Sequence, residues 1–332
     1  MQVIHTGCAH TALAVLLAMS LGLAAHPGAA QDNFPSRPVR IVVPFAAGGG
    51  PDIEARLFAQ PYSEALGGNV VIENRVGAAG IIAAEVVAQS PADGYTLLYG
   101  SNSQVVQKIL QPQAKFDPEK SFAPITLLAT SPTILVVAAS SPAKSVQELA
   151  GLLRAHPGEY NYSSGGVGTA AHLAGASFCA VNKLDAVHVP LRGSVEIMQS
   201  LVGGLTQFAF PVAGTGVPNV KAGRLRGLAF TSRKRMPQLP DLPTLFEVYK
   251  DESLVQESWG ALWAPAGTPA PVVNKLFTAA VKAVQNPAFR DRIENQGGTA
   301  VSSQSPAELA AYMHSESLKW SAIVKLAKAK AE

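Results

Sequence analysis

The sequence predicts an α/β protein of two doubly wound lobes joined by a hinge, and three observations carry that prediction. From residue 39 onward, apolar strands alternate with helix-forming segments, which argues for mostly parallel sheets covered by helices on both faces. The alternation runs through the chain twice, as two similar series. Each series also contains a loop in which a strand passes through a cluster of glycines straight into a helix: "PFAAGGGPD" at 44–52 and "SSGGVGTAAH" at 163–172.

In the first series the strands are "VRIVVPF", "GNVVIENR" and "GYTLLYGS". Helices lie between them at 51–66 and in "GAAGIIAAEVVAQS". Pro51 suits the first helical position with Gly50 as cap, whereas Pro61 removes a backbone bond to Leu57 and predicts a kink or break. The long apolar stretch "FAPITLLATSPTILVVAA" at 122–139 reads as a connection shared by both lobes. The second series follows with the helix "KSVQELAGLLRAHPG", opened by a capping box of Ser145 and Glu148. Then come the strand "YNYSS", the helix "TAAHLAGASFCAV", the strand "AVHVPL", a helix at 194–201, and the strands "QFAFPV" and "LRGLAFT". The chain returns through "SWGALWAPAGTP" to a helix whose Val273, Leu276, Phe277, Ala280, Val281 and Val284 share one face. A last helix begins at Ser305 and Glu308, with Leu309, Met313 and Trp320 inward. The lobes are thus expected at 31–127 plus about 250–332, and at 128–249.

Composition narrows the function. The chain has 332 residues, 48% of them hydrophobic, which is enough for two real cores. Only 15% are charged and the net charge is +3, without a basic block, so a nucleic-acid surface is excluded and a small ligand is expected. Residues 1–30 read as a cleaved signal peptide: "TALAVLLAMSLGLAA" is an h-region, and small residues precede Gln31, although the n-region holds no Lys or Arg. Cys8 would leave with that peptide. Cys179, in the apolar "AGASFCAVNKL", then stands alone as a core thiol, and an exported chain without disulfides suits a bacterial periplasm.

The two glycine loops offer unpaired backbone N–H groups at helix N-termini, where anions bind. Two tight βα turns would have the same spacing. "GGGPD" has no Lys-Ser or Lys-Thr ending, and neither loop fits a dinucleotide fingerprint, so no nucleotide cofactor is expected. Asp52 is favoured near a helix start whether or not it touches ligand, and His172 either faces the cleft or caps and packs. Ser163, Ser164 and His172 lack a G-x-S-x-G elbow, the histidines lack metal-ligand spacing, and no acid pair stands out. Neither catalytic residues nor a metal site are expected.

In family order the chain carries "FPSRPVRIVVPFAAGGGPDIEARLFAQ", "VVIENRVGAAG", "ADGYTLLYGSN", "FAPITLLA", "YNYSSGGVGTAAHLAG", "VHVPLRGS", "VKAGRLRGLAFTS", "LPDLPT" and "WAPAGTPAP". By these stretches it resembles the Bug-type extracytoplasmic solute receptors of tripartite tricarboxylate transporters. The resemblance implies a monomeric periplasmic Venus flytrap of the type II-like binding-protein fold, without cofactors. It would pass a mono-, di- or tricarboxylate, aromatic acids included, to membrane subunits. Carried over by position, the ligand contacts would be Phe45, Ala46, Ala47, Gly48, Gly49, Asp52, Ser101 and Asn102 from the first lobe. The second would supply Ser131, Ser163, Gly165, Gly168, Thr169, His172, Pro190 and Pro211. Ala46 and Ala47 stand where the family usually has prolines. Pro211 stands where many members place an acid, which points away from amino acids and towards an amine-free carboxylate. A signalling receptor on the same scaffold is the alternative, and the neighbouring genes would separate the two.

Overall fold

The computed structural model describes residues 34–329, so the expected signal peptide and Cys8 lie outside the described residues. The order from Arg37 onward is β1 (Val39–Val43), α1 (Gly50–Leu66), β2 (Val70–Asn74), α2 (Ile81–Ala88), β3 (Thr96–Ser101), α3 (Asn102–Leu110), β4 (Phe122–Pro132) and β5 (Ile134–Ala138). It continues with α4 (Val146–Ala155), β6 (Asn161–Ser164), α5 (Ala170–Asn182), β7 (Val187–Pro190), α6 (Ser194–Val202), β8 (Phe208–Ala209), α7 (Ala213–Lys221) and β9 (Leu225–Phe230). The last part is α8 (Leu245–Tyr249), β10 (Glu257–Pro265), α9 (Ala270–Gln285), α10 (Pro287–Asn295), β11 (Thr299–Ala300) and α11 (Pro306–Leu326).

These strands form two sheets, ordered β11-β4-β10-β3-β1-β2 and β7-β6-β8-β5-β9. The molecule therefore has two α/β lobes. Strands joined by crossover helices pair in parallel, as β1 does with β2 and β3, and β6 with β7 and β8. The sheets are nevertheless mixed, which departs from the expected mostly parallel order. β4 and β10 run between the sheets in opposite senses and so pair antiparallel, and β5 pairs antiparallel with β8 and β9.

One residue, Thr133, separates β4 of the first sheet from β5 of the second. Its N–H donates to Thr231 Oγ1 at 2.9 Å, and the Thr231 N–H donates to its carbonyl at 3.0 Å. The Thr231 hydroxyl donates to the Gln256 carbonyl at 2.6 Å, just before β10 returns. All three residues are buried, so the crossing strands are tied without water.

Each sheet has its own core. Trp259, Trp263, Met313 and Trp320 fill the first, while Phe178, Phe208 and Phe210 fill the second together with the Cys179 thiol, which burial and then Asp185 push up to about 12. α1 is a single helix through Pro61, so the break allowed by the sequence does not occur. Phe58 stacks on Tyr62 at 4.7 Å and meets Phe289 edge-on at 5.7 Å, and that packing outweighs one missing hydrogen bond. Gly49, one residue earlier than expected, is its cap. On α9 the buried face is turned from the expected one, to Val272, Leu276, Ala279, Ala280, Ala283 and Val284, and α1 is tied to this helix where the Tyr62 hydroxyl donates to the Leu276 carbonyl at 3.4 Å. At α4 and α11 the Glu side chain reaches one residue beyond a capping box. Glu148 accepts from the Lys144 N–H at 2.7 Å, and Glu308 from that of Gln304.

Gly100 on β3 lies against the Trp263 ring, and a Cβ there would enter it. Gly100→Ala is expected to cost about 1–3 kcal/mol by overpacking, measured by urea denaturation. A loss below about 0.5 kcal/mol would contradict this packing.

Candidate functional site: a cleft ringed by helix N-termini

The loop from β1 to α1 turns at Gly48, whose φ of 79° suits glycine, and closes with Gly49 N–H on the Ala46 carbonyl at 3.2 Å. Asp52, 2% exposed, holds it. Its Oδ2 accepts the Gly48 N–H at 2.9 Å, its Oδ1 accepts Asn74 Nδ2 at 2.8 Å, and Arg56 Nε donates to both oxygens. Asn74 also donates to the Phe45 carbonyl at 2.9 Å. Burial opposes charge on Asp52, but the Arg56, Gly48 and Asn74 donors outweigh it and hold the carboxyl below its usual value.

The loop from β6 to α5 repeats the device with a different acceptor. Gly168, at φ 81°, donates its N–H to His172 Nδ1 at 3.1 Å, the same four-residue step as Gly48 to Asp52. Thr169 caps α5, and its hydroxyl donates to the Gly166 carbonyl at 2.8 Å. His172 lies 4.1 Å from the His188 ring, and His188 Nε2 meets the Ser164 hydroxyl at 2.7 Å. Burial lowers His172 to about 4, and burial together with His172 lowers His188 to about 3, so both are neutral at pH 7. Gln107 of α3 donates to the Val167 carbonyl at 2.5 Å and links this loop to the first lobe.

Between the loops lies a cleft of about 380 Å³. Five helices begin at its wall: α1 at Gly49 and Pro51, α3 at Ser101 and Ser103, α5 at Thr169 to Ala171, α6 at Gly193 to Glu196, and α7 at Val212. Their first-turn N–H groups and dipoles make the cleft receptive to an anion. The carboxylate of Glu196 accepts the Arg192 N–H at 3.0 Å, the same step as at Asp52. Phe45, Val195, Ile197 and Trp259 add apolar wall.

Of the residues expected to contact ligand, Phe45, Ala46, Ala47, Gly49, Ser101, Gly165, Thr169 and Pro211 line this cleft, and Ser131 lines a smaller chamber beside it. Asp52, Gly168 and His172 lie behind the wall and shape the loops, and Gly48 is the exposed turn residue that Asp52 holds. Asn102 accepts from the Ser258 hydroxyl at 3.1 Å, Ser163 is buried against Thr206 at 3.0 Å, and Pro190 pairs with Ser164 across the sheet. Sequence reading missed the start of α6, together with Tyr99, Ser258 and Trp259. "VPLRGS" carries the same strand, glycine, helix signal as the other two loops, with one glycine instead of three.

A family model described as "Tripartite tricarboxylate transporter family receptor" matches residues 54–328. The chain belongs to that receptor family. It is 35% identical over 312 residues, 93% of each chain, to the "UPF0065 protein in tcbD-tcbE intergenic region" of Pseudomonas sp. (strain P51). Among solved structures it is similar to the periplasmic binding protein BugD, with 31% identity, a TM-score of 0.86, and coverage of 90% of this chain and 100% of that one. It is also similar to Rpa4515 of R. palustris with adipate, with 31% identity, a TM-score of 0.85, and coverage of 90% and 99%. The receptor is thus of the Bug type, and this membership sets aside an enzyme.

The neutral imidazole of His172 makes a pH prediction. Its folded pKa lies below the unfolded 6.5, so the unfolded chain takes the proton first as pH falls. Stability is therefore complete above about 6.5 and declines towards about 4, by at most about 1.4 kcal/mol per pH unit from this ring. His172→Asn, which keeps an acceptor without the titration, should flatten that slope in urea unfolding series. An unchanged slope would contradict the role given to His172.

Proposed function

We propose that this receptor is a periplasmic binding protein that captures a small organic carboxylate between its lobes and delivers it to the membrane subunits of a tripartite tricarboxylate transporter. The convergence of five helix N-termini on one cleft is the observation that carries this reading. The family description and the adipate in a 31% identical structure support it. Among the described residues no helix is long and apolar enough to cross a membrane.

In this reading the carboxylate is held by main-chain N–H groups at Phe45 to Ala47, Gly165 and the first turns of α5 and α6, while the Gly48, Gly49 and Thr169 N–H groups close their own loops. Ser101, Ser131 and Pro211 shape the rest. Asp52, His172 and the other residues behind the wall act through the loops. The lobes divide near 127 and 250, the crossing at Thr133, Thr231 and Gln256 is the hinge, and the protein works as a monomer after loss of residues 1–30. Closure about that hinge would bury the ligand and present one closed shape to the transporter.

Thermal unfolding of the purified protein with mono-, di- and tricarboxylates, adipate and benzoate tests the ligand class. At least one acid should raise Tm progressively with concentration, and a flat response to all would contradict the reading. Ala47 is exposed on the cleft wall, so Ala47→Asp should leave unliganded stability within about 0.5 kcal/mol. It should weaken binding of the same acid about tenfold or more by like-charge repulsion.

A further inference from the structure

Beside the main cleft, and sharing Tyr99 and Ser258 with its wall, lies a second chamber of about 50 Å³. That is room for one small polar group. Its wall includes the Glu54 side chain of α1, Ser131 of β4 and Gln296 beyond α10. Glycine at 260 makes the chamber possible, because a Cβ there would collide with both the Tyr99 hydroxyl and Glu54 Oε1.

Glu54 is the unexplained group. Its Oε1 is shielded from solvent and receives no hydrogen bond among the described residues. The nearby Arg56 is committed to Asp52 and Asn74. Burial pushes the Glu54 carboxyl up to about 7, and a hydrogen bond donated to the carboxyl by the Tyr99 hydroxyl opposes this only in part, leaving Oε1 as the oxygen without a partner. Glu54 and Tyr99 are the titratable groups of the chamber wall from every element that forms it. An unpartnered carboxyl oxygen accepts a hydrogen bond whether or not the group is ionised, and an apolar tail or a second carboxylate cannot supply one.

We propose that this chamber is a second recognition point in the ligand site, where Glu54 accepts a hydrogen bond from a hydroxyl or ammonium carried by the bound acid. The inference rests on the carboxylate reading above and deepens it. Pro211 takes an acid away from one part of the cleft, and Glu54 brings one in from α1. An amine-bearing ligand therefore has a partner that Pro211 alone would deny it.

Calorimetric titration with matched acids tests this: butyrate, 4-hydroxybutyrate and 4-aminobutyrate, and the corresponding six-carbon set. At one chain length a donor-bearing acid should bind about tenfold or more tighter than the unsubstituted acid, and Glu54→Leu should remove that advantage. If the donor is an ammonium, its advantage grows between about pH 6 and about pH 8 as Glu54 ionises, while a hydroxyl's does not. The wild-type comparison decides even if Glu54→Leu fails to fold, and Glu54→Gln gives a second variant that should weaken only the ammonium acid. Equal binding of plain and donor-bearing acids, or an advantage that survives Glu54→Leu, overturns the inference while the carboxylate reading stands. Binding of none of these acids, while a di- or tricarboxylate raises Tm, also overturns the inference, and a flat response to the whole carboxylate panel overturns both.

Discussion

A loop of glycines and alanines has no side chains with which to hold its own shape, so something outside it must. In the first lobe that is the buried carboxylate of Asp52, which takes the Gly48 N–H and is itself steadied by Arg56 and Asn74. A carboxylate fits because the third residue of α1 sits in the positive end of the helix dipole. The rest of the cleft follows from this bond. With Gly48 turned back onto Asp52, the remaining loop backbone and the first turn of α1 are left facing the cavity.

The same solution recurs with other acceptors. His172 holds Gly168, Glu196 holds Arg192, Glu148 holds Lys144 and Glu308 holds Gln304. In each case the third helical residue accepts the N–H just before the cap. The two acids at α4 and α11 only start helices. At α1, α5 and α6 the fixed turn also becomes cleft wall. His172 is the variant that acid would disable, because a protonated imidazole has no lone pair for Gly168.

The two lobes were legible because strand and helix periods alternate in two series and because each glycine loop follows a strand. The mixed order of the sheets was not. It depends on β4 and β10 crossing between lobes, and nothing local in "FAPITLLATSPTILVVAA" marks Thr133 as the single residue where the chain changes sheet. Pro61 does not break α1 because propensity is local and the Phe58, Tyr62 and Phe289 contacts that hold the helix together are not. In the site, the glycine loops were readable, but whether Asp52 and His172 look into the cleft or behind it depends on which loop N–H each accepts. Glu54 gave no signal, since a Glu in a helix is unremarkable until Gly260 and Tyr99 enclose it.

The proposed recognition is by charge on the ligand, met by backbone N–H groups at helix starts. The most direct measurement is a calorimetric comparison of the carboxylic acid that stabilises the protein most with its own primary amide, nearly the same in shape but neutral. The carboxylate should bind about a hundredfold or more tighter at low salt. Equal affinities for acid and amide would contradict it.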